Sequence, residues 1–487
     1  MKKVAYYILA FIVISSFTRC ADNSEKISQN IEVQNFVWKG LNAVYFWKDQ
    51  IPNLDEFKYK NQSELNSFLE NAGSPETLFE SLIFDRHNTD KWSVLFDDYI
   101  TLENILHGIS LSNGMEFGLV HESNNNTDIF GYVRYVFPNS DADLKGITRG
   151  MIFNSVNETA LTVNNYRSLL FSSDTSYSIE LATYNTDGTV TSLIDPLTLL
   201  PDSFTLLKTE IQENPVHLTK VITSGAHKIG YLMYNGFYSS FDGQLNDAIG
   251  QLKNEGITEL VLDLRYNGGG SVRTATYLAS MITGQFTNEL FTKEHWNDNL
   301  QKQFEDNNPE LLVNNFYDAL ADETPINHLK LDKLYVITTG STASASELII
   351  NGLNPYITVK TIGTKTVGKY VASITVYDSD DLGRQGANPN HTYAMQPIVL
   401  EELNKLGEND KDGFDPNIAL PEAYGNLGIL GDVNEPLFKA TIDLITTGGK
   451  FNSLPTFNIG KPITGSKEML LKNTMTVDKK LMLIPKF

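Results

Sequence analysis

The sequence predicts a multidomain α/β (α+β) protein: a small N-terminal helical domain, a strand-rich second domain, and a β-α-β core on a largely parallel sheet. Three observations carry this prediction. Apolar residues recur at helical spacing from residue 32 to about 106, and the next stretch alternates apolar with polar residues between turn signals. After about residue 200, short buried-strand patterns alternate with amphipathic helical ones. The chain has 487 residues, of which 41% are hydrophobic and 11% aromatic, ample material for several packed cores.

The chain opens "MKKVAYYILAFIVISSFTRCADNSEK": two lysines, an apolar run from Val4 to Phe17, then Cys20, the only cysteine. A run of about fourteen residues is short for a membrane span, which needs roughly twenty, and it reads as a signal peptide. A cysteine directly after such a run resembles the bacterial lipoprotein pattern, in which it is lipidated and becomes the new N-terminus. Arg19 departs from the small residue found there. That resemblance implies a leader over residues 1–20, a lipid on Cys20, and a protein anchored in the bacterial cell envelope, periplasmic or on the outer-membrane surface. The other reading of Cys20 is a free thiol in an uncleaved leader. Residues 21–31 are polar and aperiodic, and read as a tether.

Residues 32–106 make the helical domain. In "IEVQNFVWKGLNAVYFW", Val33, Phe36, Val37, Leu41 and Val44 fall on one helical face, and "SELNSFLENAG" and "SPETLFESLIF" continue the pattern.

Residues 107–200 read as strands in "MEFGLVHES", "DIFGYVRYVF" and "SYSIELATY", with a Pro-Asn-Ser turn and a short helix in "PNSDADLKGITRGMIFNSVN". This stretch resembles a PDZ domain. By that resemblance, Glu116, Phe117, Gly118 and Leu119 stand in the loop whose backbone amides take a peptide's terminal carboxylate while the peptide adds a strand to the sheet edge. The plainer reading of Gly118 is a turn between strands.

Residues 201–487 form the core with its C-terminal extension. "ELVLDLR" and "KLYVITTG" are buried strands, each followed by a turn into a helix, "GGGSVRTATYLASMITG" and "SASELIINGL". From about 376 onward the pattern weakens, and the segment reads as loops and elements completing the same domain.

Two of those turns and one lysine carry chemistry. Ser344-Ala-Ser-Glu347 fits a capping box, which accounts for both residues with no reaction at all. The same geometry exposes a hydroxyl at the C-terminal edge of a parallel sheet, where open α/β folds bind ligands and a helix N-terminus favours developing negative charge. A nucleophilic serine needs a base. The eight histidines offer none in a comparable motif, whereas Lys369 in "TIGTKTVGKYV" is flanked by apolar and small residues suited to burying its amine. A lysine serves as a base once desolvation brings its pKa toward neutrality. The glycines of "VLDLRYNGGGSV" can turn backbone amides toward a tetrahedral intermediate, although glycine-rich turns also cradle phosphates.

Together "DLRYNGGG", "STASASE" and "GTKTVGK", in that order behind a PDZ-like stretch, resemble the carboxyl-terminal processing (tail-specific) serine peptidases over roughly residues 110 to 425. The resemblance implies Ser344 as nucleophile, Lys369 as general base, and an oxyanion hole from the amide of Ala345 with that of Gly269 or Gly270. Asp263 and Arg265 then hold the turn. Members of the family carry a glutamine four residues after the lysine; Ser373 stands there in this chain.

The implied function is serine endopeptidase action on proteins or peptides with accessible C-terminal ends, with no cofactor and no metal. A non-catalytic peptide- or ligand-binding lipoprotein on the same fold, and a surface scaffold, stay open beside it. The net charge of -21 argues against nucleic acid as a partner.

Overall fold

The computed structural model describes residues 29–55, 57–123, 125–193, 203–449, 460–471 and 473–477. The leader, Cys20 and most of the tether lie outside the described residues. No helix among the described residues is long and apolar enough to cross a membrane.

The first helix, Glu32–Val44, buries Phe36, Val37, Leu41 and Val44 on one face, as their three- and four-residue spacing requires. Asn61 caps Gln62–Asn71 by accepting the Glu64 amide, and Ser74 caps Pro75–Ser81 with proline in the first turn. These helices share one apolar core with the main sheet, and Val94–Phe96 pairs antiparallel with Ala394–Gln396. The helical region is thus packed directly onto the body of the molecule.

A second sheet, largely antiparallel, is built on Met115–His121, Ile129–Val136, Ile152–Val156 and Ser176–Tyr184 around its own core. Glu116, Phe117, Gly118 and Leu119 lie within the first of these strands, not in the loop that the resemblance implied. The physical reason is a period of two: Met115, Phe117 and Leu119 point alternately into this core. Gly118 is no turn glycine either; a Cβ there would fall 2.5 Å from the ring of Tyr132 on the paired strand.

The main sheet orders Val216–Ser224, His227–Tyr234, Glu259–Asp263, Lys333–Thr338, Thr358–Gly363 and Ile418–Ala419, antiparallel in the first pair and parallel thereafter. Alternation along its strands separates two faces. Leu232, Leu262 and Val336 pack with the helices Asp242–Asn254, Val272–Thr283 and Ala345–Leu353, whereas Tyr231, Val261 and Ile337 pack with Pro436–Thr447. A further six-stranded sheet orders Gly270–Ser271, Met475–Thr476, Val371–Ser373, Ile398–Asn404, Leu290–Trp296 and Val313–Asn315.

The late segment departs from the expectation that it completes the core alone. Pro462–Gly465 crosses to the antiparallel sheet and pairs with Met115–His121, and Met475–Thr476 returns to lie between Gly270–Ser271 and Val371–Ser373.

Candidate active site

Glu259–Asp263 and Lys333–Thr338 are neighbouring parallel strands, so the turns that leave their carboxyl ends meet at one edge of the sheet. The glycine run follows the first and Ser344 the second. Ser344 sits at φ +65°, a left-handed conformation costly for a non-glycine residue, immediately before the helix Ala345–Leu353. The bend leaves it 0% exposed, with its hydroxyl donating to the carbonyl of Thr474 at 2.6 Å.

That same carbonyl accepts the Gly270 amide at 2.6 Å. One oxygen thus receives the candidate nucleophile and one of the glycine amides proposed for the oxyanion hole. Gly269 is arranged differently, since its amide donates to the Asn267 side chain at 2.9 Å. Its glycine identity serves close approach: a Cβ there would lie 2.2 Å from the Thr474 oxygen and 2.7 Å from the Ser344 Cβ. Ala345 is fully buried as the first residue of the helix.

Lys369 is 2% exposed, and its Nζ donates to the Asn473 carbonyl at 2.5 Å. Burial pushes its amine down to about 7, against the opposing pull of Asp90 and Glu347. The ring of Trp92 lies 5.7 Å from the amine, so the N-terminal region forms part of the wall that excludes water. Asn473 and Thr474 are consecutive, and the lysine and serine therefore face adjacent carbonyls of the segment that leads into Met475–Thr476.

Glu347 does more than close a cap. Its carboxylate accepts the amides of Ser344 (2.7 Å), Gly368 (2.6 Å) and Lys369 (2.9 Å) and the hydroxyl of Thr366 (2.6 Å). One buried side chain thereby clamps the backbone under the serine to the backbone under the lysine. Ser373, in the position four after the lysine, has its hydroxyl 2.6 Å from Gln396 Oε1 and 3.2 Å from the Met475 carbonyl.

Below the turn, Arg265 is fully buried, pairing with Asp263 at 2.8 Å, Glu435 at 2.7 Å and Glu422 at 3.1 Å. Arg149 of the antiparallel domain joins the same Glu422 at 2.7 Å. At the remaining predicted site, Ser466 approaches the strand of Glu116 to Leu119: its hydroxyl takes the Phe117 amide at 3.0 Å and meets the Glu116 carboxylate at 2.6 Å. Burial, chiefly, pushes Glu116 up to about 7. Among the described residues no three or more His, Cys, Asp or Glu converge as metal ligands do.

Sequence reasoning brought Ser344, Lys369, Ala345 and Gly270 to one place. It missed Trp92 and residues 473–476, which no local pattern connects to the motifs, and it saw Glu347 only as a cap.

Residues 228–385 match peptidase family S41, and residues 32–94 match the peptidase S41 N-terminal domain. Both matched regions thus resemble parts of the S41 peptidases. The chain is 26% identical over 234 residues to a carboxyl-terminal-processing protease of Picosynechococcus, covering 48% of this chain and 49% of that one. It is 26% identical over 171 residues to a CtpA-like serine protease of Staphylococcus epidermidis, 35% of this chain and 31% of that one. The match thus spans half or less of those relatives' lengths. A crystal structure of an S41 protease from Bacteroides fragilis shares the fold, with a TM-score of 0.64 at 24% identity, covering 85% of this chain and 97% of that one.

Proposed function

We propose that this chain is a serine endopeptidase with a Ser-Lys dyad, acting on proteins or peptides recognised through their C-terminal ends. The observation that carries the reading is the convergence of two residues, Ser344 and Lys369, on the consecutive carbonyls of Thr474 and Asn473, with the Gly270 amide beside the serine. Lys369 takes the Ser344 proton as the hydroxyl attacks a peptide carbonyl, the Gly270 and Ala345 amides hold the developing oxyanion, and the same amine then activates water for deacylation. A lysine brought to about 7 by burial is matched to that task near neutral pH. The antiparallel domain acts in PDZ-like fashion, taking an extended chain along Met115–His121 on the side where Pro462–Gly465 now pairs. In this reading the protein is held at a bacterial envelope membrane by a lipid on Cys20.

The test is cleavage of an unstructured protein with an apolar C-terminus by the chain from Ala21, compared with Ser344→Ala and Lys369→Ala. Each substitution is expected to lower kcat by about 10³-fold or more with circular dichroism unchanged. Binding without cleavage by the unsubstituted chain overturns the enzyme reading in favour of a binding lipoprotein.

A further inference from the structure

Residues 460–471 and 473–477 thread both sites. Pro462–Gly465 adds antiparallel to Met115–His121, with Gly465 opposite Gly118. Ser466 then occupies the Phe117 amide, where an incoming peptide would otherwise bond. The short helix Ser466–Leu470 is pinned outside the dyad by Lys467 on Glu213 at 2.6 Å and by Glu468 on Arg134 at 3.3 Å. Beyond it, Asn473 and Thr474 present their carbonyls to Lys369 and Ser344. Met475–Thr476 runs parallel to Gly270–Ser271 on one side and to Ser373 on the other, with Met475 buried. Pairing along the backbone on both flanks is how a sheet takes up an extended polypeptide of any sequence.

The geometry is one of occupancy and not of reaction. Attack requires the hydroxyl proton to pass to the base while Oγ approaches the carbonyl carbon. Here the single hydroxyl proton goes to the Thr474 oxygen itself, and the amine donates to the preceding carbonyl. Cavities of about 70, 500 and 720 Å³ each have residues between 462 and 474 in their walls, so the segment divides a larger cleft.

We propose that residues 460–471 and 473–477 are a built-in pseudosubstrate: they trace the path of an extended polypeptide from the edge of Met115–His121 to the dyad, and they close that path until a competing polypeptide displaces them. A tethered occupant competes at an effective concentration of about millimolar, so a chain engaging both the edge and the cleft displaces it where a short peptide does not. The inference rests on the peptidase reading for its consequence, yet its first test needs no turnover.

Two chains carrying Ser344→Ala, one full and one ending at Gly460, are titrated with a fluorescein-labelled synthetic peptide of residues 461–477 and followed by anisotropy. The shortened chain is expected to bind at least about tenfold more tightly, the ratio by which the closed form depletes the open one. Equal affinities overturn the proposal. If circular dichroism shows the shortened chain unfolded, the full chain with Lys467→Glu and Glu468→Arg, which sets like charges against Glu213 and Arg134, is expected to show the same gain, and no gain overturns it. In chains retaining Ser344, the same changes are expected to raise kcat/KM on an unstructured protein about tenfold. Equal cleavage by full and shortened chains sinks the pseudosubstrate and spares the peptidase. Peptide capture that still follows the segment, with no cleavage by any form, spares the pseudosubstrate and sinks the peptidase.

Discussion

In the proposed dyad a single side chain, Lys369, would set when the site can work. Burial lowers its amine to about 7, so the neutral base accumulates as pH rises through that value and is lost below it. kcat/KM is expected to climb with an apparent pKa of about 7 and then level, as measured on a short unstructured substrate. Trp92→Ala admits water beside the amine, restoring part of the ordinary lysine pKa. The climbing limb should therefore move to higher pH, whereas a merely structural defect would lower the plateau and leave the limb in place. Ser344 and Lys369 were legible in the sequence because each lies in a short motif whose composition states its environment, a small-residue helix start and an apolar-flanked amine. Trp92 was not legible: only the folded chain carries the N-terminal region to the lysine.

The turns and strands around those residues owe their shape to backbone demands that few side chains meet. Gly270 holds φ +138°, and a Cβ there would stand 2.3 Å from the Phe237 carbonyl. Gly270→Ala is expected to push its amide off the carbonyl it now shares with Ser344, lowering kcat by about 10²-fold with a smaller change in KM. Glu347→Gln tests the clamp. Its amide nitrogen would face N–H donors where a carboxylate oxygen now accepts them, and unsatisfied buried donors cost about 1–3 kcal/mol each. Lower urea stability and a falling kcat are expected together. The strand-turn-helix alternation was readable because buried strands and amphipathic helices have distinct periods. The alternation Met115-Phe117-Leu119 marked a strand in the sequence, and only the PDZ resemblance placed Glu116 to Leu119 in a loop. Met475–Thr476 and Pro462–Gly465 were unreadable for a different reason: strands of two and four residues are too short to show a period, and their pairing is settled by distant partners.

Across the whole molecule, one buried charge network joins the antiparallel domain to the main sheet. Burial alone would raise the Glu422 carboxyl, but the Arg149 and Arg265 guanidiniums outweigh it and hold it down to about 2. Because this pKa is depressed in the folded state, the stability it contributes is present above the ordinary glutamate range and is lost as pH falls toward 2. Glu422→Gln leaves two guanidiniums short of a counter-charge and is expected to cost about 3–5 kcal/mol at pH 7. Urea unfolding should show that gap narrowing as the pH is lowered. The order of helical, strand-rich and β-α-β regions was legible in the sequence, since composition and period change at each boundary. Their interpenetration was not, because the shared core of Phe36, Leu41 and Val336 joins residues some three hundred positions apart.

The strands Gly270–Ser271 and Val371–Ser373 stand apart by the width of a single strand, the one that Met475–Thr476 fills. A slot of that gauge admits neither a helix nor a paired hairpin. A folded client would therefore be cut only through its own transient openings, at a rate proportional to the population of its unravelled end and not to the affinity of its native surface. Destabilising a client, with its terminal sequence unchanged, would then shorten its lifetime in proportion, and the enzyme would act as a gauge of its clients' local stability.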